Sequence, residues 1–172
     1  MKELILGGAR SGKSKLAEQA AEASGLRKVY IATAQAGDAE MEQRIELHRQ
    51  RRGASWQLIE EPVDLAKVLK EAAREDTCIL VDCLTLWLSN CLFCGDDSEW
   101  PRQRAALLEM LLLLQLPGHV IFVSNEISMG VIPMGEVTRQ FVDEVGLLHQ
   151  ALAEICNRVT LSVAGLPHVL KS

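Results

Sequence analysis

The stretch Leu4-Ile-Leu-Gly-Gly-Ala-Arg-Ser-Gly-Lys-Ser14 decides the fold that this sequence predicts. It joins a short apolar run, predicted as a strand over Glu3 to Leu6, to the pattern G-x-x-x-x-G-K-[ST]. Small residues in such a turn let successive backbone N–H groups surround phosphate oxygens, and a following helix points its positive end at them. The Ala, Glu, Lys and Leu content of Lys13 to Ala23 predicts that helix. We therefore interpret the turn as a phosphate-binding loop rather than as a plain glycine-rich connection.

The residues of this loop have expected roles in binding a nucleoside triphosphate, either ATP or GTP. Lys13 is long enough to reach the β- and γ-phosphates and is a candidate catalytic residue. The Ser14 hydroxyl is a candidate ligand for Mg²⁺. The predicted nucleotide-binding residues of the loop are Gly7, Gly8, Ala9, Arg10, Ser11, Gly12, Lys13 and Ser14.

A second strand is predicted over Arg27 to Ala32, one helix after the first strand. A strand, helix and strand of this length form a parallel crossover unit, and parallel sheets bind ligands beyond the carboxyl ends of their strands. We therefore expect Thr33 to Gln35 to border the nucleotide site, and we take Ala32, Thr33 and Ala34 as candidate nucleotide-binding residues.

Asp82 closes a continuous apolar run that begins at Cys78. Such a run is typical of a buried parallel strand, and an acid at its end can hold Mg²⁺ beside a phosphate loop. The alternative is that Asp82 only caps the following helix. We favour nucleotide and metal binding by Asp82 because the loop that would be its partner is present.

His48 is the candidate nucleophile, on a helix predicted from Asp38 to Arg52. Arg44, His48, Arg51 and Arg52 recur at i, i+4, i+7 and i+8, which puts an imidazole among guanidinium groups on one flank. A solvated charged face is the alternative reading. Neighbouring cations keep the ring neutral, hence nucleophilic, and they attract a polyphosphate.

The remaining pattern alternates strands and helices, which favours an α/β fold around a mostly parallel sheet. The wide apolar surface of the predicted helix from Trp100 to Leu116 either packs in the core or meets another subunit. Further helices are predicted over Val63 to Arg74, Leu84 to Phe93 and Val137 to Cys156, and strands over Ser55 to Glu60, His119 to Ser124 and Arg158 to Val163. Arg158 to Val163 is expected to be the last central strand, with a short tail from Leu166 onward.

Composition bounds the class of protein. A chain of 172 residues is about one domain, so we expect residues 1–172 to form a single nucleotide-binding domain. Eighteen basic against 23 acidic residues give a net charge of −5, which argues against nucleic acid or an anionic membrane as a partner. No apolar run reaches about 18 residues, and the first predicted strand leaves no room for a signal peptide. We therefore expect a cytoplasmic protein without a membrane span.

The five cysteines make an odd number, which argues for reduced thiols. Cys91 and Cys94 form a C-x-x-C pair, but a zinc site needs further ligands and a redox motif usually opens a helix. We interpret these cysteines as small buried apolar residues, with a metal or redox role as the alternative.

Taken together, the motifs resemble those of a known family, the bifunctional adenosylcobinamide kinase/adenosylcobinamide-phosphate guanylyltransferases of cobalamin biosynthesis. The resemblance covers essentially the whole chain, and the order of its motifs is more specific than the phosphate loop alone. The matching residues are Gly7 to Ser14, Tyr30-Ile-Ala-Thr33, Arg44-Ile45 with His48, Trp56 with Glu60-Glu-Pro62, Val81-Asp-Cys-Leu-Thr85, Val123-Ser-Asn-Glu126 with Gly130 and Pro133, and Ala164-Gly-Leu-Pro167.

The resemblance implies a P-loop NTPase with a RecA-like sheet, assembled as a homotrimer. It implies that His48 takes GMP and that Asp82 is the acid at the strand end. It also implies that the guanine nucleotide is surrounded by Glu60 and by the segment Arg49, Gln50, Arg51 and Arg52. Two positions depart from the family pattern: Ser128 stands where glycine is common, and His149, a rival histidine, stands where asparagine is common.

The implied activity has two stages. The γ-phosphoryl group of ATP or GTP passes to the hydroxyl of adenosylcobinamide, and GMP from GTP then passes through His48 to adenosylcobinamide phosphate, giving adenosylcobinamide-GDP. Two alternatives stay open from the residues: a one-step kinase for a small molecule, in which His48 only binds phosphate, and a regulatory module gated by a nucleotide.

Overall fold

The chain forms a mostly parallel sheet flanked by helices, as described by a computed structural model for residues 1–34 and 55–172. The predicted helix from Asp38 to Arg52 lies outside these residues. The strands and helices in chain order are β1 (Lys2–Gly7), α1 (Lys13–Ala23), β2 (Arg27–Ala32), β3 (Trp56–Glu60), α2 (Leu65–Ala72), β4 (Thr77–Asp82), α3 (Leu84–Leu92), α4 (Glu99–Leu113), β5 (His119–Asn125), α5 (Glu136–Ile155), β6 (Arg158–Val163) and β7 (Leu166–Lys171).

The described strands form one seven-stranded sheet in the order β3-β2-β4-β5-β1-β6-β7. Neighbouring strands from β3 to β6 run parallel, and β7 runs antiparallel to β6. Gly7 is opposite Asn125, and Ala32 is opposite Asp82. The carboxyl ends of β1, β2, β4 and β5 therefore meet at one edge, where parallel sheets bind their ligands.

Apolar side chains fill both faces of the sheet. Leu4 and Leu6 of β1 face the helices α2 to α5, whereas Ile5 faces α1. This alternation explains why the central strands are continuous apolar runs in the sequence. The larger core contains Trp87, which lies edge-on to Trp100 with 5.3 Å between ring centroids.

The predicted bounds of the described helices and of the strands from β1 to β6 agree with the structure to within three residues. The largest differences concern α2 and α4. Helix α2 begins at Leu65, because the Glu61 carboxylate accepts the N–H groups of Val63 and Asp64 and holds them in a turn. Helix α4 ends at Leu113, where the backbone becomes extended at the next residue. No helix in the described ranges is long and apolar enough to cross a membrane.

The predicted C-terminal tail is wrong, because Leu166–Lys171 is an edge strand. Ala164 and Gly165 connect it to β6 in a two-residue turn with φ values of 53° and 78°. Positive φ at both central residues gives a turn whose twist matches that of a hairpin. All residues of β7 are exposed, so the strand lacks the buried positions that reveal strands in a sequence.

This hairpin contacts the phosphate loop. The Ser162 hydroxyl and the Gly165 N–H both donate to the Ser11 carbonyl oxygen, at 2.7 and 2.8 Å. Gly12 has a φ of 91°, and a Cβ atom built there would lie 2.9 Å from the Cα atom of Gly165. Glycine at position 12 is therefore required both by its backbone conformation and by its backbone neighbour.

A cluster of charged side chains surrounds the buried Glu3 at the amino edge of the sheet. Glu3 of β1 is between His119 and Arg158, with N···O distances of 3.6 and 3.5 Å. The Cys78 side chain and the Glu3 carboxylate raise the pKa of His119 to about 9, against the opposing effect of burial. The imidazolium is therefore stabilised by folding.

We predict that Gly12→Ala destabilises the protein by roughly 2–4 kcal/mol, since it forces an alanine into left-handed backbone against another main chain. The melting temperature should fall by roughly 5–15 °C in a thermal unfolding scan. Gly8→Ala is the matched control because nothing lies within 4 Å of its added Cβ, and it should change stability by less than about 0.5 kcal/mol. Equal losses in both variants would contradict the role assigned to Gly165.

We predict that His119 makes folding stability depend on pH. Its pKa is raised from about 6.5 to about 9, so its stabilisation is complete below pH 6.5 and is lost as the pH rises through 9. Urea unfolding at pH 6 and pH 9.5 should show a loss of roughly 1–3 kcal/mol in the wild type that His119→Gln lacks. The same pH dependence in both proteins would contradict this assignment.

Candidate nucleotide-binding site

The predicted phosphate loop connects β1 to α1 at the carboxyl edge of the sheet. The Ser11 N–H donates to the Gly8 carbonyl at 3.2 Å, and the first helical hydrogen bond runs from Leu16 N–H to Gly12 O at 3.0 Å. The loop residues 8–10 are exposed, so their backbone is open to a ligand. The Lys13 ammonium donates to the Gly8 carbonyl at 3.3 Å and therefore lies across the loop.

Asp82 and Ser14 meet as the sequence predicts. The Ser14 hydroxyl donates to Asp82 Oδ2 at 3.2 Å, and the Tyr30 hydroxyl donates to the same oxygen at 3.0 Å. A hydroxyl and a carboxylate are the hard oxygen donors that Mg²⁺ takes from a protein when phosphates and water complete its shell. No group of three or more acidic, histidine or cysteine side chains suited to a metal occurs in residues 1–34 and 55–172. The pair therefore fits a nucleotide-bound Mg²⁺ and not an all-protein metal site.

The segment after Asp82 is held by buried hydrogen bonds. The Thr33 hydroxyl donates to the Cys83 carbonyl at 2.8 Å and accepts the Cys83 N–H at 2.9 Å. Asn90 of α3 donates to the Thr33 carbonyl at 2.7 Å. The ends of β2 and β4 are thus tied together, which fixes the position of the Asp82 carboxylate.

Strand β5 lies between β4 and β1, and its end contacts both neighbours. The Asn125 amide donates to the Thr85 hydroxyl at 2.9 Å, just beyond β4. The Glu126 N–H donates to the Gly7 carbonyl at 3.0 Å, at the start of the loop. The polar residues Asn125 and Glu126, at the end of β5 and just after it, therefore border the acid-bearing strand and the phosphate loop.

The predicted site residues divide into three groups. The loop, with Lys13 and Ser14, meets Asp82, and Ala32, Thr33 and Ala34 lie at the same edge of the sheet. Glu60 ends the outer strand β3, four strand positions from β1 and thus about 19 Å away. The third group lies outside the described residues: His48, Arg49, Gln50, Arg51 and Arg52.

His149, the rival histidine, is a buried residue of α5. Its Nε2 atom is 2.7 Å from the Ser124 hydroxyl, and its Nδ1 atom is 3.7 Å from a carboxylate oxygen of Glu126. Burial lowers the pKa of the ring, although the Glu126 charge opposes this change. With both nitrogens facing protein partners, the ring is poorly placed to attack a nucleotide.

All five cysteines are free thiols, and none forms a disulfide. Burial raises the pKa of Cys91 to about 12, and Cys94 directs its thiol to the Cys91 carbonyl at 3.2 Å. A thiol with a raised pKa is a poor nucleophile and a poor metal ligand. The geometry therefore supports a structural role for Cys91, whereas Cys94 is exposed and differs from the expectation that these cysteines are buried.

Sequence reasoning missed some residues that support the site. Tyr30 bonds Asp82 from the neighbouring strand, and Ser162 and Gly165 bond the loop from the far end of the chain. A tyrosine hydroxyl at the end of an apolar strand is a weak signal for a partner at the sheet edge. Ser162 and Gly165 carry no local signal, because only the sheet order brings β6 beside β1.

Solved structures with a similar fold include the RadB recombinase, with a TM-score of 0.54 and 18% identity over 93% of this chain and 73% of that chain. The flagellar accessory protein FlaH from Methanocaldococcus jannaschii has a TM-score of 0.52 and 14% identity over 99% of this chain and 77% of that one. At these identities the likeness concerns the fold alone. The predicted P-loop NTPase fold with a RecA-like, mostly parallel sheet is confirmed.

Sequence relatives cover nearly the full chain. The bifunctional adenosylcobalamin biosynthesis protein CobP of Pseudomonas aeruginosa is 58% identical over 99% of this chain and 98% of its own length. The bifunctional adenosylcobalamin biosynthesis protein CobU of Escherichia coli K12 is 36% identical over 95% of this chain and 96% of its own length. The family model described as cobinamide kinase / cobinamide phosphate guanyltransferase matches residues 3–170. The chain therefore belongs to the cobinamide kinase / cobinamide phosphate guanyltransferase family.

Proposed function

We propose that this enzyme phosphorylates adenosylcobinamide with ATP or GTP and then transfers GMP from GTP to the product, giving adenosylcobinamide-GDP. The observation that carries the proposal is the contact of Ser14 with Asp82 at 3.2 Å beneath an exposed glycine-rich loop. That arrangement suits a nucleoside triphosphate and its metal. Membership of the family supports both half-reactions.

In the first half-reaction the enzyme acts mainly by positioning and by neutralising charge. The backbone of the loop binds the phosphates, and the Lys13 ammonium turns from the Gly8 carbonyl to the β- and γ-phosphates. Ser14 and Asp82 would hold Mg²⁺, which would supply further neutralisation of the phosphate charge. The acceptor hydroxyl attacks the γ-phosphorus, and the nucleoside diphosphate leaves.

In the second half-reaction His48 is the nucleophile. Its neutral imidazole attacks the α-phosphorus of GTP, pyrophosphate leaves, and GMP is held through a P–N bond. The phosphate of adenosylcobinamide phosphate then attacks this intermediate and releases the histidine. A covalent relay of this kind splits one difficult displacement into two easier ones. The buried position of His149 supports His48 as the nucleophile.

We also propose that residues 1–172 act as one nucleotide-binding domain and that the chain assembles as a homotrimer. The single sheet, which includes β1 and β7 from opposite ends of the sequence, supports one domain. Leu112 and Leu113 of α4 are 69% and 80% exposed, and apolar surface of this kind supports self-association.

We predict that Asp82→Asn lowers kcat for phosphorylation of cobinamide by roughly 10²–10³-fold, because the neutral amide is a weak ligand for Mg²⁺. Steady-state rates with ATP over a range of Mg²⁺ concentrations measure this effect. The matched control is Asp97→Asn, at an exposed position between α3 and α4, which should keep the wild-type rate. Full activity in the Asp82→Asn enzyme would show that Asp82 is not a ligand of the metal.

We predict that GTP labelled at the α-phosphate, given without an acceptor, leaves an acid-labile label on the protein. His48→Asn should abolish the label, whereas His149→Asn should keep it. Denaturing gel electrophoresis with and without acid treatment measures the label.

If only His149→Asn loses the label, the nucleophile is His149 and not His48. An unlabelled wild type that phosphorylates cobinamide would leave only the kinase. If an unlabelled wild type binds nucleotide and phosphorylates nothing, the regulatory alternative replaces the proposed function.

A further inference from the structure

Three polar side chains form a line from the core to the carboxyl edge of the sheet. Ser124 is the last buried polar residue of β5 and is fully buried. Its hydroxyl is 2.7 Å from Nε2 of His149, whose Nδ1 is 3.7 Å from Oε2 of Glu126. Glu126 follows β5 directly. None of the three has a role in the function proposed so far.

The partners favour one tautomer of the His149 ring. The Glu126 oxygen lies 3.7 Å from Nδ1, and the charge of an ionised carboxylate favours the tautomer with a proton on that nitrogen. Nε2 is then the acceptor of a neutral ring, and the Ser124 hydroxyl donates to it. Burial lowers the pKa of His149, which agrees with a neutral ring.

The other oxygen of Glu126 is also held. Oε1 accepts the N–H of Ser128 at 2.6 Å and the Ser128 hydroxyl as well. Burial acts to raise the pKa of Glu126, but the hydrogen bonds from the Ser128 hydroxyl and N–H outweigh it and leave the pKa below its usual value. The side chain is therefore an ionised carboxylate held by neighbours on both sides.

The exposed end of the line is the carboxylate and not the serine. The Glu126 side chain is 12% exposed, whereas Ser124 is 0% exposed. The line is therefore not a hydrolytic triad, since its serine is out of reach of any substrate. The Glu126 backbone donates to the Gly7 carbonyl, so the carboxylate belongs to the strand end beside the phosphate loop.

We propose that Glu126 accepts the proton of the acceptor hydroxyl during phosphoryl transfer, and that His149 and Ser124 are positioning residues for it. This inference rests on the kinase half of the proposed function. The hydroxyl oxygen bonds to the γ-phosphorus, the bond from that phosphorus to the bridging oxygen breaks, and the hydroxyl proton passes to Glu126. In the loose transition state of this reaction the proton leaves late, so an ionised carboxylate is a sufficient acceptor.

The two half-reactions provide an internal control. An alcohol must lose its proton when it is phosphorylated, but the acceptor in guanylyl transfer is a phosphate that is already ionised above its second pKa near 6. Glu126→Gln should therefore lower kcat for phosphorylation of cobinamide by roughly 10²–10⁴-fold, with KM for ATP changed less than about twofold. Guanylyl transfer from GTP to cobinamide phosphate at pH 8 should fall much less, by under about threefold.

His149 is tested with a matched pair of variants. The side-chain amide of asparagine can replace the Nδ1–H donor of histidine, whereas that of glutamine reaches the position of Nε2. His149→Asn should keep the kinase kcat within about threefold, and His149→Gln should lower it by roughly tenfold or more. Ser128→Ala removes one of two donors to Oε1 and tests whether Glu126 merely holds the following loop.

Loss of both half-reactions to the same extent in Glu126→Gln would overturn the proposal, because it would show a structural role. Full kinase activity in that variant, or an equal loss in Ser128→Ala, would overturn it as well. These outcomes leave the proposed function intact. A wild-type enzyme that phosphorylates no cobinamide would instead refute the function on which the inference rests.

Discussion

The contact between Ser14 and Asp82 is the interaction on which the rest of the site depends. The two residues are 68 positions apart and are brought to 3.2 Å by the parallel arrangement of β1, β5 and β4. Parallel strands end at the same edge, so the turn after β1 begins near the point where β4, two strand positions away, ends in Asp82. The apolar packing of both sheet faces therefore sets the geometry of the polar site.

The loop is also supported from the end of the chain. The Ser11 carbonyl accepts hydrogen bonds from Ser162 and Gly165, so the β6–β7 hairpin fixes a loop formed by the first residues. A backbone carbonyl that is satisfied from the side leaves the neighbouring N–H groups free to point at a ligand. The conformation of the binding loop therefore depends on the β6–β7 hairpin, and through it on the folding of the whole sheet.

Polar groups within the core add a second constraint at the same edge. A buried histidine costs stability unless its nitrogens are satisfied, and His149 has Ser124 on one side and Glu126 on the other. The result is a carboxylate whose orientation is set by the packing of α5 against β5. In the proposed proton transfer, α5 therefore acts through its packing, because it orients the carboxylate that accepts the proton.

The sequence by itself determined the phosphate loop, its helix, the strand that ends in Asp82 and the parallel α/β order, because each has a local pattern of glycines or apolar residues. It did not reveal β7, whose residues are all exposed, or the support that the loop receives from Ser162 and Gly165. The sequence also did not predict the contacts of His149 with Ser124 and Glu126. Only the tertiary structure decided these features, because sheet order and helix packing join residues that are far apart in the chain, and no local spacing encodes such contacts.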